Sequence, residues 1–179
     1  MLAAGYTFAR VSVRLSLILV IALLFAGCGY HLAAGDLREV GTIAIVSPRN
    51  ETGEPGLDRI VADALRRELL RRSGARIAEN PEKADVVVRG KIVGVQTVAR
   101  GLSSVVLVLE YETQVTLELE AKRGDQVVVA PTRFEDSERH LASGDVEAQR
   151  KNRVEALRRI ASLIAARFLD RLGDQEAAR

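Results

Sequence analysis

Residues 105–120 read Val-Val-Leu-Val-Leu-Glu-Tyr-Glu-Thr-Gln-Val-Thr-Leu-Glu-Leu-Glu, the clearest strand signal in the chain. The odd positions are almost all apolar, whereas the even positions turn polar from Glu110 onward. Alternation of period two predicts a long strand with one buried and one wetter face, as in antiparallel sheets. The glutamates of the wetter face could suggest a carboxylate site, but their regular spacing favours solvation or contact with a polar partner surface.

A second alternating strand precedes this one, over residues 86–95. The alternation places Arg89, Lys91 and Val95 on the same side. Gly90 and Gly94 inside the strand indicate a bend, a bulge or a close approach of another backbone.

The flanking segments complete a set of three consecutive strands. Residues 97–104 are predicted to connect the first two, and residues 122–125 form a hairpin turn with a glycine. The chain then returns as a strand over residues 126–134, where Pro131 indicates a sheet edge or a bulge.

Helical periodicity appears in two other segments. The first follows a turn-rich loop at residues 48–56, begins at residue 57 and ends before Gly74. Its basic cluster, interpreted as a solvated face with a binding site as the alternative, consists of Arg66, Arg67, Arg71 and Arg72. The second helix is capped by Asp145 and runs to about residue 172. We expect its apolar stripe to cover the sheet; the competing interpretation is a helix lying in a membrane surface.

These elements, with a first strand at residues 41–47, predict the order β-α-β-β-β-α. The fold class is therefore α+β: a two-layer sandwich with two helices on one four-stranded, mostly antiparallel sheet. We expect a single domain over residues 41–172 and a frayed tail over residues 173–179.

The amino-terminal region has the anatomy of a secretory signal peptide over residues 1–27. A basic start precedes the apolar run at residues 15–25, and Ala26 and Gly27 precede Cys28, the only cysteine. The segment resembles the lipobox of bacterial lipoproteins, although Phe25 stands where leucine is commonest. The resemblance implies that Cys28 carries an S-diacylglycerol and an N-acyl chain, which together hold a protein firmly on a membrane. Residues 28–40 then form a lipidated tether; the alternative is a buried free cysteine.

Composition excludes several classes of protein. The signal contains two of the 26 basic residues and none of the 24 acidic ones, so the remainder is balanced and gives no indication of nucleic-acid binding. No catalytic motif is present, and the two histidines, His31 and His140, are weak evidence for a metal site or an acid–base pair. We therefore expect a protein that is not an enzyme and needs neither a metal nor a dissociable cofactor.

The chain resembles the LPS-assembly lipoprotein (LptE) family over nearly its whole length after the signal. The most specific similarities are Cys28-Gly-Tyr-His-Leu32 and the loop containing Asn50-Glu-Thr and Glu54-Pro-Gly-Leu57. Less specific ones are Thr42-Ile-Ala-Ile-Val, the Arg71-Arg72 helix end, Ala84-Asp85 leading to Gly90-Lys-Ile92, and the closing helix.

This resemblance implies a lipoprotein on the periplasmic side of the outer membrane that partners and plugs the LptD β-barrel and assists lipopolysaccharide assembly. Gly29 after the lipidated cysteine, in place of an aspartate, favours delivery to the outer membrane. The alternative is a generic periplasm-facing lipoprotein that binds or stabilises another envelope complex.

Lipopolysaccharide phosphates would need basic donors with little competing acid. The first candidates are Arg89 and Lys91, which share one strand face. The weaker candidates, at strand ends and turns, are Arg100, Lys122, Arg123 and Arg133. Ordinary surface charge is the alternative for each of them.

Overall fold

The computed structural model describes residues 37, 40–72, 74, 76–102 and 108–178, all within one compact unit that spans residues 34–179. The elements, in chain order, are β1 (Thr42–Ile45), β2 (Arg49–Asn50), α1 (Leu57–Arg71), β3 (Arg76–Ile77), a 3-10 turn (Pro81–Lys83), β4 (Val86–Leu102), β5 (Val108–Arg123), β6 (Gln126–Leu141) and α2 (Val146–Ala177).

The sheet is mixed and has six strands, so the predicted four-stranded, mostly antiparallel sheet is wrong in detail. The strand order is β3-β1-β4-β5-β6, and β2 also pairs with β4. The pairs β1–β3, β1–β4 and β2–β4 are parallel, whereas β4–β5 and β5–β6 are antiparallel. The unpredicted strands, β2 and β3, have two residues each, too few for a periodic pattern. The α+β class with two helices on one sheet is confirmed.

One aliphatic core joins both helices to the sheet. The odd-numbered side chains Val115, Leu117 and Leu119 of β5 are buried, as the alternation predicts. The stripe of α2 packs on this face and includes Leu157, Ile160, Ile164 and Phe168. The stripe therefore covers the sheet, and the competing interpretation of α2 as a membrane-lying helix is wrong.

A bulge in β4 changes which side chains face the core. The register with β5 shifts between Ile92 and Gly94, in agreement with the bulge indicated by the interior glycines. Val95 consequently lies opposite Val115 and packs against the core. The prediction that Val95 shares a side with Lys91 is wrong because the inserted residue reverses the alternation beyond it.

Three elements are longer than predicted. β4 continues to Leu102 through most of the predicted connection, and β6 continues to Leu141 instead of ending at residue 134. Each gains a long antiparallel pairing with β5, which the local sequence does not reveal. α2 continues to Ala177 because Gly173 is buried inside the helix, so the predicted helix end at residue 172 is wrong.

Pro131 lies where its chemistry requires. β6 is the edge strand of the sheet, and its register with β5 shifts between Leu119 and Ala121, opposite the segment that contains Pro131. Both alternatives predicted for Pro131, an edge and a bulge, are confirmed.

The sheet and α2 extend well beyond the aliphatic core. We call this extension the distal part; it comprises residues 96–102 of β4, 108–114 of β5, 137–141 of β6 and 146–155 of α2. Among its described side chains only Thr113 and His140 are buried. Leu109, predicted on the buried face, is 52% exposed. We call the remainder of the sheet with its two helices the core part.

Two polar contacts fix the core part. At the start of β1 the Asp85 carboxylate accepts hydrogen bonds from the amide and the hydroxyl of Thr42, both at 2.7 Å, and these bonds lower the pKa of Asp85. Gly41 has φ of +84°, and a β-carbon there would lie 2.4 Å from the Asp85 carboxylate.

The second contact joins the helices. Arg72 hydrogen-bonds Glu68 and the carbonyl of Ala166 and pairs with Asp170, and its side chain is 6% exposed. The prediction that Arg72 belongs to a solvated basic face is therefore wrong.

Candidate functional site

A row of charged side chains crosses four strands on the sheet face opposite the helices. Strand register places Arg49 of β2 beside Lys91 of β4, Lys91 beside Glu118 of β5, and Glu118 beside Arg133 of β6. Cross-strand partners point to the same side of a sheet, so these four side chains form one line. We call it the basic row.

One carboxylate serves two cations in this row. Glu118 lies 3.1 Å from the Lys91 ammonium through one oxygen and 3.6 Å from the Arg133 guanidinium through the other. Arg49 makes no ion pair with any described residue. The row therefore has an excess of positive charge, and the excess lies on its β2 side.

A shallow recess of about 350 Å³ opens beside the row. Its charged lining consists of Arg49, Arg89 and Lys91 together with Glu51, Glu118 and Glu120. The recess can receive a small charged group. Its lining has three cations and three carboxylates, so an anionic ligand would bind only at a cation that has no carboxylate partner.

Arg89 is such a cation. It is exposed and lies opposite Glu120 in the register, but the ion pair of Glu120 is with Lys122, at 3.6 Å. No carboxylate of the described residues pairs with Arg89. The recess thus presents two guanidinium groups, of Arg49 and Arg89, that are available to an oxyanion.

Gly90 forms part of the lining of this recess. A β-carbon at Gly90 would lie 2.5 Å from the Glu118 carbonyl oxygen and from a Leu119 methyl group. The close backbone approach proposed for the interior glycines is confirmed at this position, and a larger residue would force β4 away from β5.

The structure brings together three of the predicted site residues. Arg89 and Lys91 lie on the same face and line the recess, and Arg133 joins them through Glu118. Lys122 lies at the margin, paired with Glu120. Whether these residues bind a ligand stays a prediction.

Two predicted residues lie elsewhere. Arg100 lies about 35 Å from Arg89 along β4. It is hydrogen-bonded to Glu112, and this bond, aided by Ser137, lowers the pKa of the Glu112 carboxyl. Arg123 faces the helix side, donates to the Val40 carbonyl at 3.2 Å and pairs with Glu176 at 3.0 Å. Arg123 shares the odd-numbered face of β5 with the buried Leu119 and Ala121, so the alternation of β5 turns it away from the recess.

Sequence reasoning missed Arg49. It belongs to a two-residue strand inside a segment rich in turn residues, and only its pairing with Lys91 places it beside the recess. No local pattern could have identified it.

The predicted lipid attachment site, Cys28, lies outside the described residues, as does His31. None of the described helices has the length and hydropathy needed to cross a membrane. Within the same residues, no group of three or more histidine, cysteine, aspartate or glutamate side chains is arranged to hold a metal ion.

Solved structures share this fold at low sequence identity. Rare lipoprotein B from Shewanella oneidensis superposes with a TM-score of 0.51 at 17% identity, covering 76% of this chain and 97% of its own. For lipoprotein B from Nitrosomonas europaea the TM-score is 0.50 at 15% identity, with coverage of 79% and 88%. A hypothetical protein from Chlamydia trachomatis gives a TM-score of 0.54 at 11% identity, with coverage of 78% and 99%. These similarities establish the fold alone.

No curated protein matches the chain in sequence. The model of one protein family does match, the family described as LptE, lipopolysaccharide-assembly, and the match extends over residues 40–172. This range contains both helices except the last turn of α2, all six strands and the recess. The chain is therefore a member of the LptE lipopolysaccharide-assembly family.

Proposed function

We propose that this protein is an outer-membrane lipoprotein that partners and plugs an LptD-type β-barrel and assists insertion of lipopolysaccharide. In this proposal it has no catalytic activity, is anchored on the periplasmic side by acyl and diacylglycerol groups on Cys28, and has no other cofactor. Membership of the LptE family and the lipobox before Cys28 support the proposal.

The sheet face without helices supports a polar partner. Both helices pack on the opposite face, so the rows that contain Lys91, Gln114 and Glu112 remain open along the length of the sheet. The wall of a barrel lumen is polar, and mixed charged rows can pair with it.

The unpaired guanidinium groups at the recess carry the proposal for lipopolysaccharide. Arg49 and Arg89 have no carboxylate partner among the described residues, and a phosphate can accept two hydrogen bonds from each. Lys91 reaches the same recess, but a phosphate must compete there with Glu118. We therefore infer that Arg89 contributes more than Lys91.

The partnership is tested by extracting the lipidated protein from membranes and identifying what purifies with it. We expect an outer-membrane β-barrel, and depletion of the protein should impair assembly of that barrel. Isolation of the protein alone, with barrel assembly unchanged on depletion, would refute the partnership and favour the alternative of a lipoprotein serving another envelope complex.

The lipopolysaccharide site is tested with Arg89→Glu combined with Lys91→Glu. We expect at least tenfold weaker binding of lipopolysaccharide, because two cations at the recess are replaced by carboxylates that repel phosphate. Tenfold in affinity corresponds to about 1.4 kcal/mol. The matched control is Arg139→Glu with Lys151→Glu, which makes the same charge change at two exposed cations outside the recess. Equal binding by the two double variants would remove the site while leaving family membership intact.

A further inference from the structure

His140 is one of the two buried side chains among the described residues of the distal part, and Thr113 is the other. His140 is 6% exposed and stacks on Tyr111 of β5, with ring centroids 5.7 Å apart and an interplanar angle of 27°. Its Nδ1 atom is buried without a hydrogen bond of normal geometry to a described residue. The stability of the structure around such a histidine depends on whether the imidazole is protonated.

A chain of hydrogen bonds connects this histidine to α2. Arg153 donates to the Thr97 hydroxyl at 2.7 Å. The hydroxyls of Thr97 and Thr113 lie 2.9 Å apart, and that of Thr113 lies 3.1 Å from Nε2 of His140. The chain therefore crosses β4, β5 and β6 and ends on the first three turns of α2.

The donors in this chain set its direction. A guanidinium has no acceptor atom, so the Thr97 oxygen must accept from Arg153. Each hydroxyl has a single hydrogen, which Thr97 can give to Thr113 and Thr113 can give to Nε2 of His140. With that arrangement both hydroxyl hydrogens have an acceptor, and the imidazole is neutral, with Nε2 unprotonated and its hydrogen on Nδ1.

Protonation of His140 is incompatible with this direction. An imidazolium donates from both nitrogens, so Nε2 can no longer accept from Thr113. The Thr113 hydrogen must then turn toward Thr97, and the Thr97 hydrogen loses its acceptor. Protonated His140 and Arg153 would then be two cations at opposite ends of the Thr97–Thr113 pair, and the charge on His140 would be buried.

Arg153 has a second role at the far end of the chain. It forms a bidentate pair with Glu54, whose nearest carboxylate oxygen lies 2.6 Å from Nη2. Asn50 in turn donates to the Glu54 carbonyl at 2.7 Å and holds the loop before α1. Arg153 therefore connects α2 to the sheet and to this loop at the same time.

The charges around His140 favour its neutral form. Burial lowers its pKa below the ordinary value of 6.5, and Arg153 and Arg159 of α2 act in the same direction. The Leu141 backbone and the Glu138 carboxylate of β6 oppose them. Tyr111 is the titratable group contributed by β5, and β4 contributes the uncharged Thr97.

We propose that this chain is a proton-sensitive latch: the closed chain from Thr113 to Arg153 does not accommodate a protonated His140, so protonation favours the open state, in which residues 146–155 of α2 are released from the sheet. None of these ten helical residues is buried, and besides Arg153 it is Asn152 that holds the segment on the sheet, by donating to the Leu141 carbonyl of β6 at 3.0 Å. Residues from Ala156 onward stay in the core, so the opening is local.

Hydrogen exchange of the full protein in detergent tests the latch. A histidine that ionises freely only in the open state raises the opening constant about tenfold between about pH 7.5 and pH 5.5. We expect that acceleration in residues 146–155, after correction for intrinsic rates, and none in residues 156–172. Equal pH responses of the two segments would overturn the proposal.

Two substitutions separate the latch from other acid effects. His140→Gln keeps a neutral acceptor for Thr113 and should abolish the pH response, whereas His31→Gln should preserve it. A response that survives His140→Gln overturns the proposal. If His140→Gln does not fold, the methyl NMR signals of Thr97 and Thr113 in the wild-type protein decide the question. They should shift with the same midpoint as the exchange of residues 146–155, and their invariance across that midpoint overturns the latch.

Discussion

The core part and the distal part share the same three strands and the same helix but are held together by different chemistry. In the core part α2 buries an apolar stripe that includes Phe168 against the sheet. In the distal part the two buried side chains among the described residues are polar: Thr113 of β5 and His140 of β6, which are hydrogen-bonded to each other. Burial of apolar area is insensitive to direction, whereas a hydrogen-bond chain fails when one member changes. One helix can therefore have a segment that stays packed on the sheet and another, residues 146–155, that can be released from it.

The largest effect that separates the two parts should come from Phe168→Ala. Phe168 is fully buried and meets Phe134 edge-to-face, with ring centroids 5.9 Å apart. Its truncation should lower the free energy of unfolding by about 3–5 kcal/mol, through lost burial and a cavity. Urea unfolding measures this loss, and Leu163→Ala, at a 49% exposed position of the same helix, should change stability far less. Similar losses for both variants would contradict an aliphatic core beneath α2.

Arg72→Met should have the next largest effect, because it removes the buried cation of Glu68 and leaves that carboxylate only the exposed Arg71, 3.4 Å away. Breaking a buried pair on one side costs about 3–5 kcal/mol, and the partial exposure of Asp170 places this variant at the lower end. The comparison variant is Arg67→Met, which removes an exposed neighbour and should stay within about 0.5 kcal/mol of the wild type. Thermal unfolding distinguishes the two, and equal midpoints would show that the pairing of α1 with α2 does not depend on Arg72.

The smallest global effect should come from Arg153→Met in the distal part. Its side chain is 31% exposed, so we expect a global loss of only about 1 kcal/mol. Locally, residues 146–155 should exchange their amide hydrogens several times faster at neutral pH. Arg150→Met, which breaks an exposed pair with Glu147 on the same helix, should leave that exchange unchanged. A global loss as large as that of Arg72→Met would show that the two parts unfold as one.

Sequence periodicity predicted what depends on neighbouring residues. The buried face of β5, the stripe of α2 and the Asp145 cap, which accepts from the Ala148 amide at 2.7 Å, each follow from spacing within one element. Placement of Arg89 beside Lys91 follows in the same way, because only one residue separates them.

Pairing between distant segments could not be predicted in this way. The bulge after Ile92 reversed Val95, and the contacts of Arg123 with Val40 and Glu176 join residues 83 and 53 positions apart. Arg49 entered the recess through a two-residue parallel pairing with β4. The hydrogen bond from Arg153 to Thr97 joins residues 56 positions apart, so no local pattern could have placed them together.

The hydrogen bonds between Asp85 and Thr42 have a mechanical consequence. β1 begins directly after Gly41 and is hydrogen-bonded in parallel to β3 on one side and to β4 on the other. Tension that reaches β1 through Gly41 along the strand axis would load both rows of hydrogen bonds in shear. The Asp85 carboxylate bonds Thr42 at the first residue of the strand, where such a load arrives. The domain thus resists being pulled from its amino-terminal side by sharing the force across three strands at once.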